Sequence, residues 1–223
     1  MSPADLFPIG LSLRIAAIAL GVAGPLGIAI AWVQAKRRYP LRWVVEALVL
    51  LPLVLPPSVI GYFLLVLFGR RGVLGPLLEG AFGVRLVFSP AAAVLASTVV
   101  ALPLVVKTAQ PAIEAVPAEL TQVGRSLGLG PLALLFRVTL PVAYRGVLAA
   151  LVLGFARALG EFGATLMVAG NIPGLTNTMP IELFTAYQGG DDARAGIYVA
   201  VLTGLSLAVA LVAGRLSPRE AAA

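Results

Sequence analysis

Long apolar runs alternate with short polar segments along the chain. Five runs, at residues 11–33, 43–68, 87–106, 142–169 and 196–214, carry few or no charged residues. Each run is close to, or longer than, the roughly 20 residues that a helix needs to cross a bilayer. The pattern therefore predicts an all-α polytopic membrane protein, with about five transmembrane helices in a single domain that covers residues 1–223.

The composition supports this class and excludes others. Of the 223 residues, 60% are hydrophobic and 12% are charged, whereas a soluble domain has about 25% charged residues. Cysteine and histidine are both absent, which excludes disulfides, thiol catalysis and imidazole or thiolate metal sites. The chain also has no phosphate-binding loop motif and no carboxylates at ligand spacing. We therefore expect neither an enzyme nor a bound metal or cofactor.

The charges predict the orientation in the membrane. The net charge is +6, but the basic residues lie in short gaps between apolar runs and form no clustered nucleic-acid-binding face. With the N-terminus outside, ten of the 16 Lys and Arg residues fall in inside loops, four fall in outside loops, and Arg14 and Arg157 fall within spans. This bias predicts an outside N-terminus and a cytoplasmic C-terminus.

The inside loop at 107–141 has a pattern of its own. Pro117 is suited to the first position of a helix, and Leu120, Val123 and Leu127 follow on one face. Gly128 stands where a left-handed cap is needed. We expect a second short helix through Phe136, with Leu140-Pro141 opening the fourth span. The pattern itself allows either a docking knob or an amphipathic helix lying on the membrane.

Two features inside the spans are unusual. Pro52, Pro56 and Pro57 interrupt the second span, so this helix is either kinked for packing or broken where it lines a passage. Arg157 and Glu161 are four residues apart in the fourth span and can pair on one helix face. Such a pair either locks the bundle or lines and gates a passage. Glu46 is interpreted as structural.

The external loop at 170–195 has a run of apolar residues after Pro180. This run is compatible with a short helix near the outer surface. Its apolar side chains either pack within the loop or form an outer cap or landing surface for another protein.

Three stretches resemble a known family. Gln122–Gly128, with Val138–Pro141 nine residues later, resembles the cytoplasmic signature of bacterial ABC importer permeases, although Gln122 replaces its acidic residue and Val123 and Gly124 replace its two alanines. Residues 155–165 and 170–180 look like the sulfate and molybdate branch. Residues 51–62, followed by 69–72, look most like molybdate permeases.

The resemblance implies a function and partners. It implies a permease subunit of an ATP-driven importer in the bacterial plasma membrane, forming the pathway for molybdate, with sulfate or tungstate as alternatives. Two copies would pair with two ATP-binding cassette subunits, which hold ATP and Mg²⁺, and with an external substrate-binding protein. The loop would be the coupling helix that docks on the ATP-hydrolysing subunit. Its contact residues would be Glu119, Gln122, Val123, Gly124, Arg125, Ser126, Leu127 and Gly128.

The implied substrate suggests which groups line the pathway. Molybdate is a dianion with acceptor oxygens only, so it needs N–H or hydroxyl donors. The pathway or gate candidates are Ser58, Ser97, Thr98, Arg157, Glu161 and Thr165. Two other classes stay open, namely a secondary transporter driven by an ion gradient and a membrane anchor for an enzyme complex.

Overall fold

The computed structural model describes residues 3–36 and 39–216, which are helical without any β-strand. Arg37, Arg38 and Arg219, which contribute to the predicted charge bias, lie outside the described residues. The helices are α1 (Pro3–Lys36), α2 (Arg42–Val54), α3 (Pro57–Phe68), α4 (Gly75–Phe82), α5 (Pro90–Glu114), α6 (Ala118–Ser126), α7 (Pro131–Leu134), α8 (Leu140–Leu159), α9 (Gly163–Ala169), α10 (Met179–Gln188) and α11 (Asp192–Leu216). The predicted all-α class is confirmed.

Within the described residues, four helices are long and apolar enough to cross a membrane. They are Asp5–Lys36, Pro90–Glu114, Pro131–Leu159 and Asp192–Leu216. Helices α2 and α3 form a fifth candidate span if they are taken together, but they meet at 109°. The number agrees with the predicted five spans, while several boundaries differ.

The second predicted span, 43–68, is not one continuous helix. Its break lies at Leu55 and Pro56, where Leu55 is extended with φ −71° and ψ 144°. A residue before proline is pushed out of the helical region by the proline ring, and Pro57 then starts α3 at a position where no backbone donor is needed. The prolines therefore break this span rather than kink it.

The fourth predicted span, 142–169, is displaced and interrupted. The helix begins at Pro131 and runs to Leu159 without the predicted restart at Leu140-Pro141. A π-helical turn at Leu135–Thr139 joins α7 to α8. Because its hydrogen bonds span five residues instead of four, the helix continues through this turn to Pro141 without a break. The helix ends at Leu159 with Gly160 as its C-cap, and α9 starts separately at Gly163.

The third predicted span ended before Lys107, but α5 continues to Glu114. Two ion pairs with α2 support this extension, Lys107 with Glu46 and Arg42 with Glu114, the latter at 3.6 Å. The structural interpretation of Glu46 is consistent with its pairing. The predicted coupling loop therefore begins with just over two turns of a spanning helix.

Helices α1, α5 and α8 form the tightly packed centre of the bundle. A Cβ added to Gly27 of α1 would lie 2.7 Å from Val105 Cγ1 of α5, and one added to Gly154 of α8 would lie 2.5 Å from Val105 Cγ2. Small residues thus let the three backbones approach closely, as is common between membrane helices. By contrast, α11 buries only Ala195 and Tyr198.

Candidate functional site

Helix α6 and the turn after it form a compact knob at the end of the bundle where α1 ends. Pro117 is the N-cap of α6, and Ala118 is the first helical residue. The prediction that Pro117 occupies the first helical position was therefore wrong by one residue. At the other end Gly128 has φ +80°. Its N–H donates to Arg125 O at 2.9 Å, and Leu129 N–H donates to Gly124 O at 3.0 Å. These two bonds define a Schellman cap, so the predicted left-handed role of Gly128 is confirmed.

The knob is attached to two spanning helices. A Cβ on Gly124 would lie 2.5 Å from Leu134 Cδ2, so α6 packs closely on the segment that leads into α8. Lys36, at the end of α1, donates to Val116 O at 3.4 Å. A displacement of the knob would therefore be transmitted to both helices. The packing role of Gly124 was missed, although a glycine in mid-helix is itself a signal of close approach.

The predicted apolar face of the knob does not pack on its own chain. Leu120, Val123 and Leu127 are 44%, 57% and 76% exposed. The polar candidates Glu119, Gln122, Arg125 and Ser126 are also exposed. Seven of the eight predicted coupling residues thus share an open surface, while Gly124 alone is buried beneath them.

The two helix breaks lie beside each other. A Cβ on Gly163, the first residue of α9, would be 3.2 Å from both Pro57 Cβ and Ser58 N at the start of α3. A Cβ on Gly61 would lie 2.7 Å from Ala164 O and 2.6 Å from Met167 Cβ. Helices α3 and α9 therefore begin together and run side by side in the same direction. No prediction from the sequence brought these two segments together.

Arg157 and Glu161 meet at the second break. Arg157 Nη1 lies 2.9 Å from Glu161 Oε2, so the predicted pair is confirmed. The expectation that both residues lie on one helix was wrong, because α8 ends at Leu159. Glu161 Oε1 instead accepts the Ala164 N–H at 2.8 Å and caps α9. The carboxylate thus satisfies an open donor and lies at the positive end of the short helix.

The hydroxyl candidates fall into two groups. Ser58 is exposed at the start of α3, and Thr165 is buried in α9, its Oγ1 having no hydrogen-bond partner in the described part of the chain. Ser97 and Thr98 are buried on α5, and Thr98 Oγ1 already donates to Val94 O at 2.7 Å. The structure therefore brings Ser58, Thr165, Arg157 and Glu161 to the paired breaks, and leaves Ser97 and Thr98 within the packed bundle.

A second polar cluster joins α1, α10 and α11 at the end of the bundle where α1 begins. Arg194 lies 3.0 Å from Asp5 Oδ1 and 2.9 Å from Glu182 Oε1. Asn177 Nδ2 donates to Glu182 Oε2 at 3.1 Å. The sequence analysis identifies Arg194 only as a loop charge, although the Glu182 carboxylate within the apolar run after Pro180 is a signal of a charged partner. The short helix expected there is α10.

The polar groups described above do not form a metal site. Across residues 3–36 and 39–216, no group of three or more Asp and Glu side chains is placed to hold an ion. The polar groups at the paired breaks are hydroxyls, backbone donors and one ion pair, which suit transient contact with a polar solute.

Comparison with known proteins gives the family. The family model described as "Binding-protein-dependent transport system inner membrane component" matches residues 23–221. The molybdenum transport system permease protein ModB of Escherichia coli K12 is 40% identical over 204 residues, which is 91% of this chain and 87% of the relative. ModB of Haemophilus influenzae is 41% identical over 207 residues, with coverages of 91% and 90%.

Solved structures agree with the fold. A bacterial ABC transporter involved in the import of the polysaccharide alginate superposes with a TM-score of 0.73 at 15% identity, covering 98% of this chain and 82% of that one. The inward-facing methionine ABC transporter MetNI gives a TM-score of 0.66 at 16% identity, with coverages of 98% and 100%. The fold is thus that of an ABC importer permease, and the chain belongs to the family of binding-protein-dependent transport system inner membrane components.

Proposed function

We propose that the chain is the membrane permease of an ATP-driven importer of molybdate. The observation that carries this proposal is the identity of about 40% with ModB proteins over nine-tenths of the chain. The match includes both helix breaks and the knob, so the segments argued to matter for transport lie within it. Tungstate and sulfate are the alternative substrates, since they are tetrahedral dianions with the same acceptor chemistry.

The knob is proposed as the coupling element. Its exposed Leu120, Val123 and Leu127 form an apolar patch on a short helix that is tied to α1 and α8. A patch of this kind favours contact with another protein. The proposed partner is an ATP-binding cassette subunit that holds ATP and Mg²⁺. ATP-driven closure of two such subunits would move two knobs and tilt the helices of two permease copies.

The proposed orientation puts the knob in the cytoplasm and the start of α1 outside. Lys36, Arg42, Arg125 and Arg137 lie at the knob end of the described helices, which is the end that the positive-inside rule assigns to the cytoplasm. The opposite end, with α10 and its exposed Phe184 and Tyr187, would then face the external substrate-binding protein.

The paired breaks are proposed as the place where the substrate passes. The start of α3 offers the Ser58 N–H and the exposed Ser58 hydroxyl, since Pro57 has no N–H and Val59 and Ile60 both donate to Pro56 O, and a half-helix start is suited to an anion. Arg157 and Glu161 neutralise each other, so the site carries no strong net charge. A few neutral donors favour passage over retention, because a transported ion must also leave. High-affinity selection would belong to the binding protein.

The test is ATP hydrolysis by the permease with its cassette subunits in liposomes. Binding protein is added after loading with molybdate, tungstate or sulfate in turn. We expect the molybdate-loaded form to stimulate hydrolysis and to drive uptake, and the sulfate-loaded form to do neither. Stimulation by sulfate alone would move the proposal to the sulfate branch. Uptake that follows an ion gradient without ATP would contradict it in favour of a secondary transporter.

A knob variant tests the coupling assignment separately. Val123→Glu places a charge in the exposed apolar patch and should abolish stimulated hydrolysis by weakening assembly with the cassette subunits. Val84→Glu is the matched control, because Val84 is 49% exposed at the opposite end of the bundle. Co-purification of the cassette subunit measures assembly directly. Normal assembly and coupling in Val123→Glu would remove the knob from the mechanism.

A further inference from the structure

The Gly69–Gly72 turn, which plays no part in the proposed transport mechanism, borders an open groove. The groove has a volume of about 520 Å³ and lies between the end of α3, helix α4 and residues 85–88. Leu65, Phe68, Leu78 and Leu86 form its apolar walls, with Arg70 and Arg85 among its polar lining residues. It lies at the end of the bundle where α5 begins, away from the knob.

The turn is built so that an arginine faces this groove. A Cβ on Gly72 would lie 2.3 Å from Val66 O, and one on Gly75 would lie 2.0 Å from Gly69 O. These contacts leave no room for side chains, so the chain folds back tightly after α3. The two successive arginines are then placed differently, since Arg70 lines the groove and Arg71 lines a separate recess with Phe63 and Val73.

The groove has an excess of positive charge. Arg85 Nε lies 2.7 Å from Glu79 Oε1, so these two charges compensate each other. Arg70 has no ion-pair partner within the described residues and is exposed. An unpaired guanidinium beside an apolar trough matches a molecule with one anionic oxygen group and a long apolar part.

A phospholipid has this combination of parts. Tyr62 of α3 is exposed and lies one turn before Leu65, which lines the groove, and Leu77 of α4 is exposed beside Leu78, so the groove adjoins a surface that is apolar enough to lie in the bilayer. The guanidinium recognises phosphate oxygens through planar paired donors. A soluble acidic protein would satisfy Arg70 but would leave the apolar trough unfilled.

We propose that this groove binds one anionic phospholipid, with its phosphate against Arg70 and one acyl chain along Leu65, Phe68 and Leu78. The site is separate from the paired breaks and the knob. It would hold the α3–α4 segment at the membrane surface, and it does not depend on which anion the protein transports.

The experiment is native mass spectrometry of the purified permease–cassette complex with added lipid. Phosphatidylglycerol and phosphatidylcholine with identical acyl chains are compared as probes. We expect one phosphatidylglycerol per permease chain, bound in preference to phosphatidylcholine. Arg70→Gln should weaken phosphatidylglycerol binding about fivefold, as for loss of one basic residue near an anionic lipid. Arg71→Gln is the matched control, because it removes the same charge one residue away from a side chain that lines a different recess, and it should weaken phosphatidylglycerol binding clearly less than Arg70→Gln does.

A second variant tests the trough without changing charge. Leu78→Trp fills the groove and should lower lipid occupancy while cassette assembly stays normal; if that variant fails to assemble, the Arg70 and Arg71 comparison decides alone. Equal binding of the two lipids, or equal losses in Arg70→Gln and Arg71→Gln, would overturn the proposal. Displacement of the lipid by millimolar inorganic phosphate would also overturn it, because the groove would then bind a free anion. Dissociation of Arg70→Gln into monomers would overturn it as well, because the groove would then contact a second copy of the chain.

Discussion

Gly128 and Glu161 each help to satisfy backbone hydrogen-bonding groups at a helix end that have no partner within the helix. Gly128 takes φ +80° and closes the two hydrogen bonds that end α6. Glu161 accepts the Ala164 N–H and pairs with Arg157. The role of Gly128 depends on its backbone conformation, whereas the role of Glu161 depends on its charge and its hydrogen bond. Substitutions can therefore test each cause separately.

Gly128→Ala should loosen the cap of the knob. A residue with a Cβ in the left-handed region costs about 1–2 kcal/mol, so we expect hydrogen exchange at the Leu129 amide to rise about tenfold. Gly130→Ala is the control, because Gly130 has φ −71° and no atom near its added Cβ. Equal exchange rates in the two variants would show that the left-handed conformation does not hold the cap.

Arg157→Ala and Glu161→Ala should be coupled. Removing either partner leaves the other charge in a low-polarity setting, so the double variant should lose less stability than the sum of the single losses. We expect an interaction free energy of about 1–3 kcal/mol from a double-mutant cycle on thermal unfolding. Glu161→Gln separates the two roles, since it removes the charge and keeps an oxygen for the Ala164 N–H. Strict additivity would contradict the pair.

Helices α3 and α9 are two short elements of the bundle that pack on each other. Each follows a break in a longer apolar segment, and the two are in contact from their first residues. Gly61 lets the α9 backbone approach α3, and Gly163 lets α9 begin beside Pro57 and Ser58. The pair thus acts as one packing unit, joined to the rest of the chain by two short breaks.

Gly61→Ala should separate this pair. The added Cβ would lie 2.7 Å from Ala164 O and 2.8 Å from Ala164 Cα, so backbone would have to move. We expect a loss of about 1–3 kcal/mol in thermal unfolding, as for overpacking elsewhere. Gly204→Ala in α11 has open space around it and should be neutral or slightly stabilising. The same loss in both variants would mean that close packing at Gly61 is not the cause.

Elements formed by residues close together in the sequence were predictable, whereas elements that depend on contacts between distant residues were not. The cap at Gly128 depends on residues within one turn, and its pattern was readable from the sequence. The break at Pro56 was indicated by prolines, but its 109° angle was not. The break at Gly160 has no proline, and the contact of α9 with α3 that accompanies it joins residues about a hundred positions apart. Local patterns contain no information about such a partner.

Ion pairs join the helices of the bundle at the end where α1 begins. Arg194 of α11 lies against Asp5 of α1 and Glu182 of α10, and Tyr198 Oη donates to Asp5 O at 3.3 Å. Ser12 Oγ accepts the Met179 N–H at 2.7 Å in the same region. Helices α1 and α11 are thus joined through the short helix α10.

Arg194→Ala should release α10. Glu182 is 7% exposed and would be left as a buried carboxylate without its cation, so we expect hydrogen exchange in α10 to rise about tenfold or more. Adding Glu182→Gln should recover part of the protection. Arg85→Ala breaks an ion pair of exposed side chains and should leave α10 unchanged, since such pairs contribute little. Unchanged exchange in Arg194→Ala would show that apolar packing alone holds α10.

The sparse packing of α11 has a consequence for biosynthesis. This helix buries only Ala195 and Tyr198 near its beginning, whereas α1, α5 and α8 all precede residue 160. The ribosome adds about 5–20 residues per second, so the centre of the bundle has seconds in which to assemble before α11 is complete. Helix α11 then docks onto an existing scaffold, so the packing of α1, α5 and α8 does not wait for its insertion into the membrane.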